Sequence, residues 1–214
     1  MKKLLLLAIA TAFGTFCYAQ KPYTNPNFKQ LSSQHKLIAI LPADVKITYK
    51  AQPRYFDYEA NKDKEIELAY KVQSALYTFL LEREMKSAIG FQDLEKTNLL
   101  LKRAGMIDSL KSFSKDEIAK ALGVDAVVSE NYELEHFNAR PDRTNPGPTE
   151  RPSALAAPAN VTGSATLTVL LNDSTTGNLL WRFYTNDRDF DVFSTMDTIE
   201  RVAKKPVKNF PYAK

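Results

Sequence analysis

Residues Ser114 to Leu134 read SKDEIAKALGVDAVVSENYEL, and the order of signals within them decides the fold. Ser114 stands three positions before Glu117. At that spacing a hydroxyl and a carboxylate satisfy the exposed amide hydrogens of a helix start reciprocally. The helix so begun runs to Leu122 and stops at Gly123, a residue that can leave through a left-handed conformation without a Cβ penalty. Val124, Ala126, Val127 and Val128 then open a strand with no polar alternation, the pattern of a strand covered on both faces. Toward Leu134 the strand becomes more polar, and Asp125 is placed to bond amides in the turn. A capped helix feeding directly into a buried strand implies helices layered on a sheet.

Working outward, Leu37 to Leu41 (LIAIL) is a second continuous apolar run, closed by Pro42, and Val45 to Lys50 reads as a short strand after it. Between Asn61 and Met85, Ile66, Ala69, Val72, Leu76, Phe79 and Leu80 recur at helical spacing with no Gly or Pro between them, which predicts a long amphipathic helix. A shorter helix follows over Gln92–Ala104, with Gly105 just past its end. Downstream of the opening stretch, Thr166–Leu171 and Asn178–Thr185 are strands joined through Asp173-Ser174-Thr175-Thr176-Gly177, a hairpin link. A last helix over Thr195–Lys205 is expected to end at Pro206, with Phe210-Pro211-Tyr212 packing back on the body and Trp181 covering one sheet face. The fold class that follows is α/β, built as an α+β sandwich: a mixed sheet of four or five strands packed with three or four helices.

The chain has 214 residues, 44% apolar and 25% charged, with 7 Gly, 2 His and 1 Cys. That composition fits a globular domain and argues against general disorder. Lys2 and Lys3 precede the apolar run Leu4–Phe13 and a small-residue segment ending Cys17-Tyr18-Ala19, the layout of a secretory signal. The run is too short to span a bilayer, which takes roughly 20 residues. Cleavage is expected after Ala19. Residues 1–19 are then a signal peptide, 20–34 an extended leader, and 35–214 one α/β domain with a Pro-rich loop at 138–160. Lipidation at Cys17 is not expected, because Gly14 and Phe16 occupy the positions where lipoprotein signals carry an aliphatic and a small residue. Loss of the signal removes the only Cys, so disulfides are excluded, and it lowers the formal net charge of +4 by two. A surface so nearly balanced provides no basic face for nucleic acid. No later segment is apolar and long enough for a transmembrane span.

Three stretches together carry a resemblance: LIAILP at Leu37–Pro42, the opening Ser114–Leu134 stretch, and ATLTVLLNDSTTGNLLW at Ala165–Trp181. In order and in motif they resemble the periplasmic fold group shared by the curli secretion channel protein, the outer-membrane lipoprotein activators of penicillin-binding proteins, and the amino-terminal domain of TolB. The shared features are an opening strand ending in Pro, a helix-to-strand turn of the type AxxLGVDAVV, and a hairpin of the type D..TG.LLW. The resemblance implies a cell-envelope binding or assembly role and no active site. In the curli channel protein, transmembrane hairpins interrupt the sheet. The insertion here, Asn138–Asn160, holds five of the eleven prolines and lacks the alternation of a membrane-crossing strand, so the chain reads as a soluble relative that forms no pore.

Residues that could carry chemistry have plainer readings. No P-loop, GxGxxG, HExxH or CxxC occurs. Asp187-x-Asp189-x-Asp191 imitates the start of a calcium loop, but Val192 and Thr198 stand where Gly and Glu are required, so it reads as an acidic strand edge with Phe190 facing the other way. His35 and His136 fall in no ligand-spaced cluster and read as surface or loop residues. Glu65, Glu67, Glu82 and Glu84 read as a solvated helix face. Arg140, Arg143 and Arg151 lie in the Pro-rich loop, which reads first as a floppy insertion and, as the alternative, as a dock for an acidic partner, lipid head group or glycan. Arg201, Lys204, Lys205 and Lys208 sit where cations suit a helix C-terminus. Catalytic, cofactor-binding and metal-binding residues are therefore expected to be none.

The expectation is a periplasmic or secreted envelope protein, not an enzyme, that binds another envelope protein. It could also self-associate or touch the outer membrane peripherally. A hydrolase acting on cell-wall material would need a cleft with at least two convergent carboxylates or a Ser–His pair, around His136 or Glu135. A ligand-binding module would need an enclosed apolar cavity beside the long helix.

Overall fold

The computed structural model describes residues 22–53, 55–83, 85, 89–137, 162–191 and 195–213, without the side chains of 162, 188–191 and 195. The signal over 1–19, Cys17, the Pro-rich loop at 138–160 and its three arginines lie outside the described residues.

In chain order the elements are β1 (Tyr23–Thr24), α1 (Phe28–Leu31), β2 (Leu37–Ile40), β3 (Asp44–Tyr49), α2 (Tyr58–Leu81), β4 (Gly90–Phe91) and α3 (Leu94–Arg103). A 3₁₀ turn (Leu110–Ser112), α4 (Lys115–Leu122), β5 (Ala126–His136), β6 (Thr162–Asp173), β7 (Leu179–Asp191) and α5 (Thr195–Lys208) follow. They form one mixed sheet in the order β1-β7-β6-β5-β2-β4, with β3 beside β5 beyond the end of β2. β2 and β3 both run parallel to β5, while the β5–β6 and β6–β7 pairs are antiparallel. Seven strands and five α-helices among the described residues exceed the expected counts because β1 and β4 are two-residue strands and α1 is a single turn, none of them long enough to carry a periodic signal.

β2 and β3 are in effect one strand broken at Pro42. Ile40 is level with Val128, whereas Asp44 is level with Asn131, a register shift of one residue. Proline has no N–H to donate to a ladder, so the break falls where that hydrogen bond cannot form. Gln73 of α2 reaches into the gap beside it, and its Nε2 donates to Ile40 O at 2.7 Å.

α2 and α5 cover one face of the sheet over a large core that includes Leu68, Val72, Leu76, Leu167, Trp181 and Val202. α3 and α4 cover only one end of the opposite face, over Ala39, Leu41, Val127 and neighbours. Among the described residues nothing covers the remainder of that second face. Along β5 the burial alternates from Asn131 onward, with Tyr132 and Leu134 in and Glu133 and Glu135 out. Trp181 is 0% exposed and meets Phe210 of the tail edge-on at 5.6 Å, as the sequence leads one to expect.

The helix ends follow their caps. Ser114 and Glu117 form the full capping box, and Gly123 sits at φ +65°. Gly123 N–H and Val124 N–H then donate to Lys120 O and Ala119 O, a Schellman closure. α2 begins at Tyr58, earlier than expected, because the Asp57 carboxylate accepts from Ala60 N–H. α5 continues through Pro206 to Lys208 rather than ending at it. A proline this near the C-terminus costs one intrahelical bond, and Val202, Ala203 and Val207 are buried on the same helix. The leader also departs from its reading: β1 pairs with β7, and Phe28 and Leu31 of α1 pack on the main core.

Candidate binding surfaces

α2 carries two apolar stripes. Leu68, Val72, Leu76 and Leu80, four residues apart, are buried. Ile66 and Tyr70 face outward, 49% and 41% exposed, although Ile66 reads from the sequence as part of the buried face. Opposite them lies the segment after α3. Gly105 adopts φ +69°, Gly105 N–H and Met106 N–H donate to Lys102 O and Leu101 O, and the chain is thereby turned back toward α2. Lys111 on the 3₁₀ turn then reaches Asp44 Oδ2 at 2.7 Å, at the start of β3. The pair is solvent-exposed, so it positions the loop more than it stabilises it.

Between these elements runs a groove of about 540 Å³ with Pro42, Ala43, Val45 and Ala69 on one side and Ile107 and Leu110 on the other. A neighbouring depression of about 470 Å³ shares Tyr70, Ile107 and Asp108 with it and adds Leu99, itself 48% exposed. Three large apolar side chains left in water beside an apolar floor form a contiguous patch of the kind that marks a contact site. Around the rim Lys62 pairs with Glu65 and Lys111 with Asp44, and Asp108 adds a further carboxylate. Burial holds the Lys115 ammonium below its ordinary range, with Asp44 opposing that shift. The groove is open along its length, so it is not the enclosed cavity that a small-ligand module requires.

The second surface is the uncovered sheet face. Lys46, Thr48, Glu133, Glu135, Ser164, Thr166 and Asn186 line a depression of about 630 Å³ there, with Phe137 at one end. Glu133 and Glu135 are two residues apart on one strand, so both point into it. Both carboxylates are exposed. His136, the last residue of β5, stacks on Tyr49 at 4.8 Å, and burial lowers its imidazole from the ordinary value.

His35 is a correction. It reads from the sequence as a surface residue but is buried between three segments. Its Nε2 lies 3.0 Å from Asp173 Oδ1 and its Nδ1 lies 2.6 Å from Tyr212 Oη. Asp173 Oδ2 already accepts from Thr175 N–H, Thr176 N–H and the Thr176 hydroxyl. An ionised carboxylate only accepts, which assigns the proton to Nε2 and leaves Nδ1 to accept from the tyrosine hydroxyl. Burial alone would raise Asp173, but the Thr176 and His35 hydrogen bonds overcome it and hold its carboxyl below the usual range. The network ties the N-terminal segment, the hairpin turn and the C-terminal tail together. No depression of appreciable size among those described reaches it.

Other sequence candidates resolve into local roles. Asp125 bonds outside its own turn, accepting from Lys36 N–H and Leu37 N–H at the start of β2. Glu65 is not part of a solvated face: its Oε1 accepts from Ile47 N–H on the outer side of β3. Glu67 does lie on that face and pairs with Lys64 and Lys71. Glu82 is exposed, and Glu84 lies outside the described residues. Asp187 is held by Arg201 Nε at 3.0 Å, and the side chains of Asp189 and Asp191 lie outside the described set. Lys204 pairs with Glu200 and sits over the Phe79 ring, while Lys205 and Lys208 are exposed. Among the described residues no three His, Cys, Asp or Glu side chains gather, and no helix is long and apolar enough to cross a membrane.

The class that this arrangement defines is a mixed α/β sandwich with one sheet face half uncovered. No protein-family model matches the chain, and no curated protein matches it in sequence. Similar solved structures include the C-terminal domain of LpoB from Salmonella enterica. It is 8% identical with a TM-score of 0.35, over 77% of this chain and 94% of that one. Lipoprotein GNA1162 from Neisseria meningitidis is 13% identical with a TM-score of 0.41, over 81% and 96%. The PelC dodecamer from Paraburkholderia phytofirmans is 11% identical with a TM-score of 0.39, over 91% and 96%. Likenesses this distant assign neither family nor function, and they do not show the curli-channel or TolB parts of the resemblance.

Proposed function

We propose that this chain is an exported protein of the cell envelope that binds another envelope protein through the groove between α2 and the 105–112 loop, without catalysing a reaction. One observation carries the reading: Ile66, Tyr70 and Leu99 stand exposed around an apolar floor. The export pattern over residues 1–19 supports the location. The occupant that suits such a floor is an apolar segment of the partner, docked with one or two large side chains between Tyr70 and Ile107. Aromatic anchors at the centre of an interface commonly carry most of its energy.

The double variant Ile66→Glu/Tyr70→Glu tests this in the exported protein. Each new charge would face an apolar surface unpaired, so recovery of the partner that wild type retains should fall at least about a hundredfold. Both positions already face water, so the thermal midpoint should hold. Undiminished recovery would reject the groove. Contact with the outer membrane, or with a second copy of this chain, would be read from the same recovery.

A second reading rests on Glu133 and Glu135, which share the sheet-face depression with Ser164 and Thr166. Paired carboxylates are what glycoside hydrolysis uses, but the pair must be differentiated so that one stays protonated. Glu133 and Glu135 stand exposed in an open depression, with no enclosed cleft to exclude water from a reacting bond, which favours binding over turnover. Release of soluble fragments from cell-wall material, abolished by Glu135→Gln, would reverse that preference.

A further inference from the structure

The helix-covered face of the sheet carries a carboxyl group at its centre. On β5, Glu130 lies between Val128 and Tyr132 on the core side, level with Val169 of β6 and, beyond it, Phe183 of β7. Its side chain is 1% exposed, and neither Oε has a hydrogen-bond partner among the described residues. Tyr132 Oη and Trp181 Nε1 on the same face are also buried without a partner there.

Among the described residues nothing packed on this face supplies a counter-charge. α2 contributes Leu68, Val72, Leu76, Leu80 and Gln73, whose amide is committed to Ile40 O and Asn98. α5 contributes Ile199, Val202, Ala203 and the hydroxyl of Thr198. The core-side residues of β2, β3 and β6 are uncharged. The tail brings Phe210 and Tyr212, the latter engaged with His35. On β7, Asp187 faces the same side and is paired with Arg201 of α5. An anion at Glu130 would therefore be unpaired in hydrocarbon, and such groups take up a proton instead.

We infer that Glu130 is a proton-dependent lock on the helix layer: with the carboxyl neutral, α2 and α5 close over β5, and loss of the proton loosens them. Burial alone holds this carboxyl well above the usual carboxylate range. The sign follows from linkage. The folded state keeps the proton more tightly than the unfolded state, so the stabilising effect is complete below the unfolded value of about 4.3 and is lost as pH rises through the folded one. α2 also carries the proposed groove, which would couple the groove to the same proton.

Hydrogen exchange of the full exported chain, corrected for intrinsic rates, tests the lock without using any partner. Its failure would therefore leave the groove reading intact. In wild type, exchange of α2 and α5 amides should accelerate with pH relative to Glu130→Gln, approaching about tenfold per pH unit once opening releases one proton. The Glu130→Leu variant, which removes the polar group, should show the same flat profile and covers the case in which the amide fails to fold. Parallel profiles in wild type and either folded variant would overturn the inference, as would acceleration confined to β6 and β7.

Discussion

At the scale of single residues, the polar groups that organise this molecule are the ones the sequence concealed. Asp173 was legible as a turn residue because Asp two and three positions before Thr175 and Thr176 is a recognised turn arrangement. Its second partner, His35, lies 138 residues away, and no local pattern announces that distance. Glu130 was equally hidden, since Ser129-Glu130-Asn131 reads as the strand turning polar, whereas strand alternation puts Glu130 inward. Asp173 makes a test with a defined sign. Its folded carboxyl lies below its unfolded value, so it contributes stability that is present above about pH 4 and lost as pH falls through the folded value. In urea titrations Asp173→Asn should be about 2 kcal/mol less stable than wild type near neutrality, the cost of a hydrogen-bonded buried charge. It should converge on wild type below pH 4. A gap that stays constant with pH would remove the carboxylate from this role.

Elements are legible in the sequence where their signal is local and hidden where it is tertiary. The capping box, the Gly123 exit and the hairpin were all visible, since each depends on residues within five positions of one another. β1 and α1 were missed because a polar segment joins a sheet edge through its backbone, which leaves no side-chain period. β6 and β7 run longer than expected because their outer halves, such as Ser164-Ala165-Thr166, keep one face open to water. Two glycines separate conformational strain from steric strain. Both Gly123 and Gly177 have positive φ, but a Cβ at Gly123 would meet nothing within 4 Å. At Gly177 it would lie 3.1 Å from Asp116 Oδ1. Gly123→Ala should cost about 1 kcal/mol, and Gly177→Ala more, because the α4 side chain must also move. Equal losses by thermal or urea unfolding would contradict that ranking.

For the molecule as a whole, the sheet assigns different work to its two faces. One face is sealed by α2 and α5 around Trp181, and this half of the sandwich follows from apolar runs and helical periodicity. The other is sealed only at one end by α3 and α4, and no sequence period marks where that cover stops. The groove arises at the boundary of the cover. It needs the Gly105 turn, the Lys111–Asp44 pair and the outward stripe of α2 together, three features some forty residues apart that no single window contains. Ile66 shows the point most clearly: its helical spacing suits burial, yet α2 has a second face and Ile66 lies on it.

The groove is the surface proposed to meet a partner, and a photo-crosslinking scan in intact envelopes tests that directly. A photoreactive residue placed at 66, 70, 99 or 107 should give discrete adducts, while placement at 46, 166 or 168 on the open sheet face should give none. Adducts from the sheet-face positions with a silent groove would contradict it.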